Sequence, residues 1–140
     1  MGYRFIDHTA DVAADLDGAS AGDLFASAAQ ALTDTMTPLE GVCPSVTQPV
    51  TLEAGTLDDL LVDWLNELLY RFEVLNMLVS RAAVTLQQRD GRWHLAATVS
   101  GEAFDPARHP MRVLVKSATY HGLHVREQQG TWTATVVFDI

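Results

Sequence analysis

The apolar residues between Leu57 and Phe72 constrain this chain more than any other feature. Leu57, Leu60, Leu61, Trp64, Leu65, Leu68, Leu69 and Phe72 fall at i, i+3, i+4, i+7, i+8, i+11, i+12 and i+15. That is the repeat of a helix with one apolar stripe. The stripe must be buried, so the helix has to lie on a sheet or on another helix. Thr56, with Asp59 three residues on, resembles a capping box, and Asp58 and Asp59 suit the positive start of a helix. A second helix is expected after Ser20, with Asp23 three residues on. Leu24, Phe25, Ala28, Ala29, Leu32 and Met36 would form its buried face.

Strand patterns fill most of the remaining chain. Short strands are expected around Tyr3 to Ile6 and Val12 to Leu16. Val46 to Glu53 partly alternates, and Pro49 inside it points to an edge strand, because proline cannot donate to a ladder. Leu78 to Arg89 and Arg92 to Gly101 are joined by Asp90-Gly91, a tight-turn pair. Val113 to Glu127 and Thr131 to Asp139 read as another hairpin, turning near Gln129-Gly130. Thr37 to Pro44 is the most irregular stretch and reads as a loop. The order β-β-α-β-α-β-β-β-β lacks strict βαβ alternation, so the class is α+β. The expected architecture is a mainly antiparallel mixed sheet with two long helices packed on one face. At 140 residues, without repeats or linkers, residues 1–140 read as a single domain.

Charge narrows the function classes. Asp and Glu total 18 against nine Lys and Arg, a formal net charge of −9. The excess is uneven: residues 1–73 carry thirteen acids and two bases, while the remainder carries five acids and seven bases. No basic stripe is available to displace counterions from nucleic acid, so direct nucleic-acid binding is not expected. Basic membrane attachment fails for the same reason. No apolar run approaches ~18 residues, so no membrane span is expected. The start of the chain shows no signal-peptide pattern, and Ile6 breaks a myristoylation motif at Gly2. The single Cys43 excludes an internal disulfide and fits a reducing cytoplasm. Beside Pro44 and without a nearby histidine, it reads as an inert loop residue.

Several polar residues could carry chemistry. Asp11 stands between two expected strands, where an aspartate either caps a turn or ligates a hard cation. Asp139 ends a strong strand beside the terminal carboxylate of Ile140. Two such anions repel unless they are solvated or bridged, and oxygen-only ligands favour Ca2+ or Mg2+. Glu102, Asp105 and His109 share an irregular segment whose simplest reading is a solvated loop. Lys116 is the chain's single lysine among eight arginines. On a strand it would share a face with Ala118 and Tyr120, opposite Ser117, Thr119 and His121. His121 and His124 suggest zinc, but residues three apart on a strand face opposite ways. His94 reads as a surface or half-buried strand residue, and Asn66 and Glu67 as the solvated side of their helix. Phosphate-binding loops, dinucleotide-binding glycine patterns and nucleophile elbows are all missing.

The motifs together resemble the archease family. They are His8-Thr9-Ala10-Asp11, Asp23-Leu24-Phe25, Trp64 to Tyr70, Gly101-Glu102 with Asp105 and His109, Val115 to His121, and Phe138-Asp139-Ile140. They occur in family order over nearly the whole chain. Val12-Ala13 and Ser117-Ala118 depart from the family pattern at positions that are not ligands. The resemblance implies an archease-like sandwich, a sheet with two helices on one face. It implies an accessory protein rather than an enzyme. Its partner would be a GTP- and metal-dependent RNA ligase (RtcB type), which the protein helps to become guanylylated and to turn over in tRNA splicing or RNA repair. It also implies a divalent-cation site at Asp11, Asp139 and Ile140, filled by Ca2+ or Mg2+, with Mn2+ a further candidate. Lys116 matches a lysine tied to activation, and Glu102, Asp105, His109 and His121 are expected near the docking end. Two competing expectations are a metal-dependent phosphoesterase with His8 or His121 as base, and a chaperone or modulator of an RNA-modifying enzyme such as a tRNA methyltransferase.

Overall fold

The computed structural model describes residues 2–6, 11–119 and 124–140. In chain order the elements are β1 (Gly2–Ile6), β2 (Asp11–Gly18), α1 (Ala21–Met36), a 3-10 turn at Leu39–Gly41, β3 (Val46–Ala54), α2 (Leu57–Leu75), β4 (Met77–Arg89), β5 (Arg92–Ala103), β6 (Ser117–Thr119), β7 (Arg126–Gln128) and β8 (Thr131–Asp139). Both helices start where the sequence indicates. Ser20 Oγ accepts from the Asp23 amide, and Thr56 Oγ1 accepts from the Asp59 amide. Helix α2 stops at Asn76, which takes the left-handed conformation (φ 59°) that asparagine tolerates.

The strands form two sheets rather than one. The larger has the order β1-β2-β8-β6, with β7 also on β8; the smaller has the order β3-β5-β4. Every pairing among the described strands is antiparallel, so the parallel component implied by "mixed" is missing there. β3 is an edge strand, as Pro49 requires. Asp90-Gly91 and Gln129-Gly130 close their hairpins with positive φ at both residues, the geometry of a type I′ turn.

Of the expected strand from Val113 to Glu127, the described residues form β6 and β7, while residues 113–116, 124 and 125 lie in neither. Just before β6 the backbone bonds to other elements: the Arg112 amide donates to Met36 O and the Lys116 amide to Asp139 O. Lys116 therefore precedes the strand and is exposed, whereas Ala118 is buried, so the two do not share a face.

One continuous core joins both sheets and both helices. Trp64, Phe25, Leu60, Leu61, Leu65, Val99, Val136 and Phe138 are inaccessible to water. Each such side chain contributes about 1.5–3 kcal/mol by burial. Trp64 also donates its indole N–H to Phe25 O (2.9 Å), fixing α2 against α1. Helix α1 covers the open edge of β4, which blocks pairing with another chain. Thr33 Oγ1 and Gln30 Nε2 donate to the carbonyls of Val79 and Ser80 (2.7 and 3.3 Å). These carbonyls lie where the β4 register shifts, between Val79 and Arg81. The approach requires Gly22, since a Cβ there would collide with Val84 O.

Candidate functional site

On the larger sheet, strand alternation sends Val12, Ala14 and Leu16 of β2 toward the helices, so Asp11 projects from the other face. On β8, Phe138 is buried and Asp139 points outward. Asp11 and Asp139 are directly opposite in the ladder, and Ser117 of β6 opposes Asp139 from the other side. Three oxygen-bearing side chains thus form one row at one end of the sheet. Opposed residues on an antiparallel pair have Cβ atoms about 4.5–5.5 Å apart, close enough for two carboxylates to converge on one ion. Without a bridging cation, like charges in this position repel.

The donors suit a hard divalent cation: two carboxylates and the main-chain oxygens of Asp139 and Ile140. Among the described residues no group of three His, Cys, Asp or Glu side chains could enclose a metal. The remaining coordination positions would fall to main chain and water, which leaves one side of the site open. Lys116 sits at the edge of this row, its amide donating to Asp139 O (2.7 Å) while its side chain stands exposed. The lysine is held on both sides in the chain. Val115 is fully buried before it, and after it the Ala118 amide donates to Asn66 Oδ1 of α2 (2.9 Å). Asn66, half-buried rather than fully solvated, holds the outer edge of β6. Glu67 pairs with Arg71 (2.9 Å), which also donates to Gln48 Oε1 and Pro49 O, closing part of the edge of β3.

Glu102, Asp105 and His109 belong to the other sheet and the loop after it. Glu102 is buried at the end of β5, opposite Leu78. It accepts from both terminal nitrogens of Arg108 (2.6 and 3.1 Å), from the Cys43 amide (2.7 Å) and from His109 Nε2 (3.0 Å). The Arg108 bonds, then those from Cys43 and His109, hold the Glu102 carboxyl down at about 2. The Asp105 amide donates to His109 Nδ1 (2.9 Å), which fixes the ring proton on Nε2. The Asp105 carboxylate accepts from the Ala107 amide and its carbonyl from the Arg108 and His109 amides. Buried His109 stacks on Phe104. Within this expected docking group, Glu102 and His109 are sealed and mutually paired, while Arg108 reaches solvent. Arg108 and Asn66 escaped sequence reading. Arg108, six residues from a carboxylate and next to a histidine, could have been singled out; Asn66 gave no signal beyond its helix position.

Cys43 is tied to this cluster too, its Sγ 3.5 Å from Arg108 Nη2. His124 stands near Asp58 (3.8 Å) and His94 near Glu53 (3.3 Å), and neither joins the Asp11–Asp139 row. His8, Tyr120 and His121 lie outside the described residues.

A model of the archease protein family matches residues 3–140. The chain belongs to the archease family. It is 37% identical to the protein archease of Methanopyrus kandleri over 140 residues, the full length of both chains. It is 34% identical to that of Methanosarcina mazei, over 99% of this chain and 95% of the other. The solution structure of Methanobacterium thermoautotrophicum protein 1598 superposes with a TM-score of 0.85 at 28% identity, covering 99% of each chain. A Thermotoga maritima crystal structure, described as an archease and possible chaperone, shares the fold at 18% identity (TM-score 0.63, 96% and 94% coverage). No helix among the described residues of this archease is long and apolar enough to cross a membrane.

Proposed function

We propose that this archease is a non-catalytic, divalent-cation-binding activator of a GTP-dependent RNA ligase of the RtcB type, acting in the cytoplasm in tRNA splicing or RNA repair. One observation carries the reading. The two aspartates that the family resemblance implies as ligands are direct cross-strand partners, and the main chain of Lys116 is bonded to one of them.

Asp11 and Asp139 would hold the cation, with main-chain oxygens of Ile140 and water completing its shell. When bound, the ion supplies charge neutralisation for phosphate oxygens. Lys116 offers a mobile point charge beside the same end of the sheet. Nucleotidyl transfer is governed by positioning and charge neutralisation, so an accessory protein can promote it by presenting charges alone. The acidic surface of this chain suits a basic, RNA-binding partner, and RNA contact would belong to that partner.

The test is a guanylylation and multiple-turnover ligation assay with the cognate ligase. Wild-type protein should stimulate both, and Asp139→Ala and Lys116→Ala should each lose most of the effect. Full stimulation by both variants overturns the proposal. Turnover of a phosphoester by metal-loaded protein alone would point to an enzyme instead.

A further inference from the structure

Beyond the aspartate row, Asn66 stands in the middle of α2. We infer that Asn66 is a positioning residue for activation: its side-chain carbonyl holds β6, and thereby Lys116, in register with Asp139. The inference rests on the reading of Lys116 as an activating residue.

β6 has only three residues, Ser117–Thr119, and lies at the edge of its sheet. A strand this short frays readily when only one edge is paired. Its inner edge is paired with Asp139, Phe138 and Val137 of β8. Its outer edge carries the Ala118 amide, within a residue that is 5% exposed, and Asn66 Oδ1 accepts from it. Asn66 is itself anchored. Its neighbours Leu65, Leu68 and Leu69 are packed in the core, so the acceptor is presented from a rigid helix. The strand is thus clamped between β8 and α2. Lys116 lies one residue ahead of it, after buried Val115, with its amide on Asp139 O. A flexible lysine is useful to a partner only if its root is fixed relative to the carboxylates it works beside. Asn66 also stands on the same stretch of α2 as Trp64, so helix packing and the aspartate row are linked through one side chain.

The bond uses the carbonyl oxygen of Asn66. Aspartate in its place keeps an acceptor of nearly the same shape, whereas leucine keeps the bulk and loses the acceptor. These variants separate positioning from a general packing role.

Asn66→Leu and Asn66→Asp full-length proteins should be compared with wild type by amide hydrogen exchange and by stimulation of ligase guanylylation over a concentration series. In Asn66→Leu, exchange at Lys116 and Ala118 should accelerate by on the order of tenfold or more, while the amides of Leu65 and Val136 stay as in wild type. Its maximal stimulation should fall on the order of tenfold, with the half-saturating concentration little changed. Asn66→Asp should restore both. The inference is overturned if Asn66→Leu keeps wild-type exchange at Lys116 and Ala118 or a wild-type plateau. It is equally overturned if Asn66→Asp behaves like Asn66→Leu, or if exchange accelerates throughout the core. Failure of the wild-type protein to stimulate the ligase would sink the proposed function instead. The exchange results would then still decide whether Asn66 orders Lys116.

Discussion

Asp11 and Asp139, drawn from opposite ends of the sequence, are direct partners across β2 and β8 and project from the same face of the sheet. Like charges so placed are destabilising. Asp139→Asn should therefore stabilise the metal-free protein slightly. Addition of Ca2+ should raise the melting temperature of the wild type and leave that of Asp139→Asn unchanged. At a hundredfold excess over Kd the wild-type gain is about 2.7 kcal/mol, worth several degrees in a chain of this size. Thermal melts of both proteins with and without Ca2+ check this. Equal shifts in the two would remove the aspartate pair from metal binding.

Glu102 makes a pH prediction. Its carboxyl titrates at about 2 in the fold, against an ordinary value of 4.5, because Arg108, the Cys43 amide and His109 all donate to it. Between those two values the unfolded chain binds the extra proton, so stability falls as pH drops from 4.5 toward 2. Above 4.5 the contribution is fully present. Glu102→Gln cannot titrate, so its stability should depend on pH less steeply in that window, by close to one proton. Urea unfolding at several pH values between 2 and 5 measures the difference. Parallel curves for the two proteins would refute it.

How much of this was legible in the sequence follows from how far each interaction reaches. Both helices, their caps, the Asp90-Gly91 turn and the edge position of β3 rest on local patterns, and all could be read. The division into two sheets could not, because β4 ends its sheet against α1 through bonds from Thr33 and Gln30 to distant carbonyls. The start of the strand expected from Val113 was missed for a related reason: the Arg112 amide bonds to Met36 O on α1 instead of to a neighbouring strand. Asp11 and Asp139 were each visible as acids at strand ends, but their meeting depends on register. Asn66 looked solvated because helical periodicity does not reveal a neighbouring strand edge.

Gln129 offers a stabilising change. It has φ 54° in the turn before β8, a left-handed conformation that costs most side chains about 1 kcal/mol. Asparagine tolerates it far better and is favoured in this turn type. Gln129→Asn should raise stability by roughly 0.5 kcal/mol, seen as a higher urea midpoint with an unchanged slope. A lower midpoint would show that the glutamine side chain contributes something that the turn geometry does not reveal.

The strongest destabilisation is expected from Trp64→Phe. The indole is fully buried, and its N–H satisfies Phe25 O across the interface between the helices. Phenylalanine keeps part of the apolar volume but leaves a cavity and an unpaired carbonyl. The two effects together should cost about 2–4 kcal/mol. Because the same stretch of α2 carries Asn66, the loss should extend beyond stability. Hydrogen exchange at Ala118 of β6 should rise in Trp64→Phe even at temperatures well below its melting point, where β8 remains protected. Exchange that rises only in step with global unfolding would show that the helix interface and the edge strand are uncoupled.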